Sequence, residues 1–276
     1  MSAQLAEEDM GIELLTLGLD GVMFDTEEAH LWSCNAAFKS CGLDLRWSVQ
    51  QLRAAVRQHG VTHAILEMTR QSFRTSDSHE AARLVAEKNR FFFHEFVATR
   101  GPMLHGGCAQ LIDNALARGC KLAVVTAMPT RSATALLEHA FGTALHSMFS
   151  VTVTNANFKA PPDNGPHRLV LRTLAIDLHR CVAIDADGPG LDAAQRSGMW
   201  TVAASPHAHE YPNFSRAKLW CPNLQMPIQP SACSMMSVEK QSRFLTLDHL
   251  NTIRGAKSKH ATVPKKTSRR LYARVM

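Results

Sequence analysis

Three apolar stretches of the 276-residue chain end in residues able to do chemistry. Leu14-Leu15-Thr16-Leu17 reads as a buried strand and stops at Gly18-Leu19-Asp20-Gly21, a short acidic loop containing glycine. Val124-Val125 stops at Thr126, and Val182-Ala183-Ile184 stops at Asp185-Ala186-Asp187. A carboxylate at a strand end can move a proton or share a cation, and a hydroxyl there can donate a hydrogen bond. Plainer uses exist for both groups. Thr126 can cap the helix expected near Arg131, and Asp20 can hold its own loop through hydrogen bonds to nearby backbone groups. The seven cysteines are scattered and never spaced Cys-x-x-Cys, which excludes a disulfide framework or a zinc site built on that motif. The fourteen histidines form no cluster with metal-ligand spacing.

The elements that must position these residues follow from hydrophobic periodicity. Residues 27 to about 98 read as helical, with Leu52, Ala55, Val56, then Leu66, Thr69, Phe73, then Leu84, Val85, Phe91, Phe92 and Phe96 at helix-like intervals. From Pro102 onward helix and strand alternate: helix from Cys108, strand Lys121–Thr126, helix from Arg131, strand Met148–Thr154, helix from His167, strand Cys181–Ile184, helix Leu191–Ser197, strand Trp200–Ala204. Alternation of this kind implies right-handed crossovers and a doubly wound, Rossmann-like parallel sheet, with ligands gathered beyond the carboxyl ends of its strands. Beyond Pro206 the pattern thins, and Leu245–Ile253 offers one short helix.

The strand-end motifs resemble the signatures of the haloacid-dehalogenase-like phosphatases, in the branch of the CbbY-like sugar-bisphosphate phosphatases, from about Leu14 to Ala217. The resemblance implies an α/β core over residues 12–26 and 99–217, an inserted helical cap over 27–98, and a C-terminal extension over 218–255. It puts Gly18 where the family has its nucleophilic aspartate, and Asp20 at the general acid/base two residues on. Thr126 matches the hydroxyl that donates to the phosphoryl group, and Lys159 in Lys159-Ala160-Pro161-Pro162-Asp163 matches the lysine that neutralises its charge. Asp185 matches the first acidic metal position and Ala186 the second, leaving Asp187 as the remaining candidate ligand for the Mg2+ that the family uses. Glu27 and His30 match cap-side substrate positions. In His59-Gly60-Val61-Thr62-His63-Ala64-Ile65, Thr62 and Ala64 stand where relatives carry the lysine and arginine that grip a second phosphate.

The departures at Gly18, Ala186 and Thr62/Ala64 touch nucleophilic attack, metal binding and substrate grip in turn. The expectation is therefore a phosphatase-fold protein with impaired catalysis that binds a phosphorylated small molecule such as a sugar phosphate. Two alternatives stand beside it. One is an active magnesium-dependent phosphate-ester hydrolase with Asp20, Asp185 and Asp187 rearranged. The other is a binding or adaptor protein working through its basic tail. Of the net charge of +6, eight cations and no acids fall between Arg254 and Met276, so the rest of the chain is mildly acidic. Residues 256–276 read as a disordered tail in which Lys257 to Arg274 could meet nucleic acid or an anionic surface. No apolar run approaches the roughly 20 residues of a membrane helix, and Met1 to Asp9 has no basic-then-apolar leader, so a cytoplasmic location is expected.

Overall fold

The computed structural model describes residues 11–56, 61–72, 78–157, 165–210, 214–225 and 243–260. Strand β1 (Leu14–Leu17) leads into four helices, α1 (Glu27–Ser40), α2 (Val49–Val56), α3 (Val61–Ser72) and α4 (Ser78–Thr99). The alternating part follows: α5 (Gly106–Ala117), β2 (Lys121–Val125), α6 (Thr130–Phe141), α7 (Leu145–Met148), β3 (Phe149–Val153), α8 (Pro166–Leu174), β4 (Cys181–Asp185), α9 (Gly188–Arg196) and β5 (Trp200–Ala203). A two-residue strand, β6 (Leu219–Trp220), and helix α10 (Leu247–His260) complete it. All strand pairs are parallel, in the order β3-β2-β1-β4-β5-β6.

β1 is buried at every position, as the central strand of a sheet covered on both faces must be. Alternation sends Leu15 and Leu17 to one core with Leu111, Ile112, Leu136 and Leu250, and Leu14 to the other with Val170, Ala194 and Met199. Helices α5, α6 and α10 therefore cover one face, while α8 and α9 cover the other. The register fixes the site: Leu17 pairs with both Val124 and Ile184, so the next residues along, Gly18, Val125 and Asp185, come level at the top of adjacent strands.

The four-helix insertion has its own core, built on Phe38, Trp47, Leu52, Ile65 and Val85. Helix α4, 22 residues and so about 33 Å long, belongs to both bodies: Val85 and Ala86 pack in the insertion, Phe93, Phe96 and Val97 in the main core. Its buried stripe runs Ala82, Val85, Ala86, Asn89, Phe93, Phe96, Val97. The sequence pattern put Leu84 and Phe91 on that stripe, but they are 48% and 62% exposed. The true stripe passes through polar Asn89, which an apolar count skips.

Within the C-terminal extension expected over 218–255, β6 extends the sheet edge, and Leu224, Leu245, Leu247 and Leu250 join the main core. Two residues are too short a strand to show a period. Helix α10 runs to His260, into the stretch expected as tail; Asn114 Oδ1 accepts from its first N–H at 2.9 Å and Asn251 Oδ1 accepts from Ile12 N at 3.0 Å. Residues 261–276, like Phe73 and Lys159, lie outside the described residues.

Candidate functional site

The loop after β1 is closed by backbone bonds from Met23 N and Phe24 N to Leu19 O (3.1 and 3.0 Å) and from Gly21 N to Phe24 O (2.8 Å). That tight turn holds Asp20 over the strand ends. Its carboxylate does not bond back to the loop, as the plainer expectation had it. Oδ1 accepts instead from Thr26 Oγ1 at 2.5 Å and meets His30 Nε2 at 3.1 Å. Burial pushes the Asp20 carboxyl up, but the charge of His30 and the hydrogen bonds from His30 and Thr26 outweigh it, and the net shift is downward. An ionised Asp20 only accepts, so His30 Nε2 carries the proton and donates.

Asp185 ends β4 at 7% exposure. Its Oδ1 accepts from Ala186 N (2.7 Å) and Asp187 N (3.2 Å). Asp187 caps α9, accepting from Gly190 N at 2.5 Å. Burial first, then the mutual repulsion of the pair, raises Asp185 well above the usual carboxylate range. Asp187 is raised by burial to about 6.

The Asp185 carboxylate lies between two glycines. A Cβ placed on Gly190 would fall 2.2 Å from Oδ2, and a Cβ on Gly18 would fall 3.1 Å from both oxygens. A side chain at position 18 would thus start in tight contact with the carboxylate from β4, which would have to give by a few tenths of an ångström. Ala186 faces the β1 loop: it is 5% exposed within the main apolar cluster, and a Cβ on Gly21 would come within 2.9 Å of its methyl.

Thr126 is buried, and its Oγ1 accepts from Met128 N at 3.1 Å. It closes a turn and does not cap α6, whose N-cap is Pro129 without a side-chain bond. Among the described residues the hydroxyl proton meets no acceptor. Gly18, Asp20, Thr126, Asp185 and Asp187 all line one cavity of about 90 Å³.

That cavity includes a residue the sequence reading passed over. His167, at 2% exposure in the first turn of α8, lines it with Nδ1 3.2 Å from Thr16 Oγ1 on β1. Among the described residues Nε2 has no hydrogen-bond partner, and burial pulls the imidazole down to about 4, so it is neutral near pH 7. The available signal was a histidine on the apolar stripe of α8, three residues before buried Val170.

Toward the insertion, Glu27 is tied to Arg53 of α2 by bonds from Nε (2.5 Å) and Nη2 (2.9 Å), a cation the sequence reading did not single out. Ala64 is not a cleft residue: α3 turns it, with Ile65 and Thr69, into the insertion's buried side. Thr62 lies in the first turn of α3, and its side chain, like Lys159, is outside the described residues. The buried thiols of Cys34, Cys108, Cys120, Cys181 and Cys221 are pushed up to about 12 by burial and are inert as nucleophiles.

Among the described residues the donors fall short of a complete magnesium shell. Mg2+ takes oxygens in near-octahedral array, usually one or two carboxylates with waters and phosphate. Here Oδ1 of both Asp185 and Asp187 already accepts backbone N–H bonds, which leaves the second oxygen of each, and a methyl occupies position 186. Among the described residues no three of His, Cys, Asp or Glu converge as metal ligands.

A family model of the haloacid dehalogenase-like hydrolases matches residues 17–204. The plasmid-encoded protein CbbY of Cupriavidus necator is 28% identical over 229 residues, covering 79% of this chain and 88% of that protein. The crystal structure of CbbY from Rhodobacter sphaeroides in complex with phosphate superposes with a TM-score of 0.65 at 24% identity, over 76% of this chain and 93% of that one. A mutant of the same protein in complex with xylulose-(1,5)bisphosphate gives the same score at 23% identity.

Proposed function

This chain belongs to the haloacid dehalogenase-like hydrolase family, and from that premise we propose that it is a CbbY-like phosphatase-fold protein whose phosphoryl transfer is impaired and whose crevice binds a phosphorylated small molecule. The observation that carries the reading is the pairing of Gly18 with the Asp185 carboxylate: position 18 offers no nucleophile, and a Cβ there would meet Asp185 at 3.1 Å. An aspartyl-phosphate cannot form on glycine. Sugar bisphosphate as ligand class is supported by the bound molecule of the Rhodobacter relative. The raised Asp185 carboxyl supports anion binding as well, because a carboxyl that holds its proton more readily repels an incoming phosphate less. Thr126 would donate its free hydroxyl proton to the phosphate, and Lys159, by its motif, would neutralise it. Asp20, which Thr26 and His30 hold, would move a proton at the ester oxygen but has no attacking group to work with.

The test is a phosphate-release assay over sugar phosphates and bisphosphates with and without Mg2+, run beside calorimetric titration with xylulose 1,5-bisphosphate and xylulose 5-phosphate. The expected result is no release above a blank, together with binding of at least one probe that Thr126→Val weakens by roughly tenfold or more. Steady magnesium-dependent release that disappears in Asp20→Asn would overturn the impaired reading.

A further inference from the structure

We infer that Phe93 of α4 is a positioning residue for Asp20, acting through His30. The inference goes beyond the ligand reading and does not depend on it, since it concerns how the free protein holds one carboxylate.

His30 Nε2 donates to Asp20 at 3.1 Å. One hydrogen bond fixes a point on an imidazole ring and leaves its plane undetermined. The usual device is a bond from the other nitrogen to a carbonyl or carboxylate. His30 lacks it: among the described residues Nδ1 is buried and meets no hydrogen-bond partner. The plane is set by Phe93, whose ring stacks on the imidazole with centroids 4.6 Å apart and planes 26° from parallel. Phe93 is itself 3% exposed and fixed in the main core beside Phe96 and Val97.

A second tie from the same helix face reinforces this. Asn89, one turn before Phe93, donates from Nδ2 to Ser33 Oγ at 2.9 Å, and Ser33 Oγ donates to the carbonyl oxygen of His30 at 3.1 Å. Residues four apart share a helix face, so Asn89 and Phe93 form one cradle. The first steadies the main chain of His30 and the second its ring. This also gives the polar residue in the buried stripe of α4 a use.

The test is nitrogen NMR of the His30 ring, with the Asp20 carboxyl carbon followed alongside, in the full chain without ligand. Phe93→Leu is compared with Phe96→Leu, which removes the same bulk from the same helix and core without touching His30. Both should lower Tm by several degrees. Phe93→Leu alone should displace the two ring nitrogen shifts, as the ring leaves its single orientation against Asp20, and should move the Asp20 carboxyl signal with them. Phe93→Tyr, which keeps the flat face, should restore the wild-type shifts. If Phe93→Leu does not fold, Phe93→Met keeps the bulk without the flat face and should give the same displacement. Wild-type His30 shifts in the folded Leu or Met variant, or an equal displacement in Phe96→Leu, would reduce Phe93 to an ordinary core residue and overturn the inference.

Discussion

The loops after β1 and β4 carry the same chemical group in opposite states. Asp20 is half-buried and paired, with His30 and Thr26 holding it below its ordinary value against the cost of burial. Asp185 and Asp187 are desolvated and, among the described residues, accept from backbone N–H groups alone, which do not offset the desolvation, so both are raised. Burial alone therefore does not decide a carboxyl's shift; side-chain partners within hydrogen-bond reach do. The two loops divide the crevice into a rim toward the insertion whose carboxyl is held low and a floor whose carboxyls are held high.

The strongest way to break that division is Gly18→Asp, which brings a third carboxylate against the floor. Its Cβ would start 3.1 Å from both Asp185 oxygens, and an uncompensated buried charge costs about 3–5 kcal/mol. Urea unfolding at pH 7 should register that loss, and adding Asp185→Asn should recover at least half of it. Gly18→Ala isolates the steric part and should cost about 1 kcal/mol. Equal stability of Gly18→Asp and wild type would mean that Asp185 swings freely away. Adding Ala186→Asp, the change that alignment suggests for regaining a metal site, should deepen the loss without phosphate release, because position 186 is packed among apolar neighbours.

Asp187→Asn sharpens the contrast through pH. The ordinary carboxyl releases its proton near 3.8 and the folded Asp187 near 6, so between those values the folded state holds the extra proton. Stability then falls as pH rises through the window, by on the order of 3 kcal/mol. Asn keeps the helix cap and has no proton to lose, so its urea midpoint should fall less than that of the wild type between pH 4 and pH 7. Asp20 works in the other direction: lowered on folding, it contributes stability above its unfolded value that is lost on acidification. A variant curve parallel to wild type would show that Asp187 does not carry the pH term.

The smallest effect is expected where neither loop is touched. A chain ending at His260 keeps Leu245, Leu247 and Leu250 in the core and should melt within about one degree of the full chain. A larger drop would show that residues 261–276 dock on the fold. Any salt-sensitive binding to nucleic acid should be lost with them.

Much of this was legible from local pattern. The strands from β1 to β5 were expected within a residue or two of their bounds, because a short apolar run ending at glycine or an acid is a local signal. The closing glycine of α9 was equally readable: Gly198 takes φ +82, a conformation that favours glycine. Asp20, Thr126, Asp185 and Asp187 were named from their strand ends, and they do line one cavity. What local pattern left undecided was which face a helix turns inward. Ala64, the position where the resemblance loses an arginine, is buried in the insertion, and Leu84 and Phe91, read at helix-like intervals, are exposed. A helix phase set by two cores at once, as in α4, is not recoverable from apolar spacing when one position of the stripe is an asparagine.

By itself the sequence determined the kind of sheet, the order of its elements, the strand ends where chemistry gathers, and the missing side chain at position 18, all properties of contiguous residues. The tertiary structure decided what each group does there. Asp185 turns toward Gly18 from a strand far along the chain, His30 is set by Phe93, and His167 reaches Thr16 across the sheet. A carboxylate's charge and an imidazole's orientation depend on desolvation and on partners brought close by packing, and no local pattern encodes those distances.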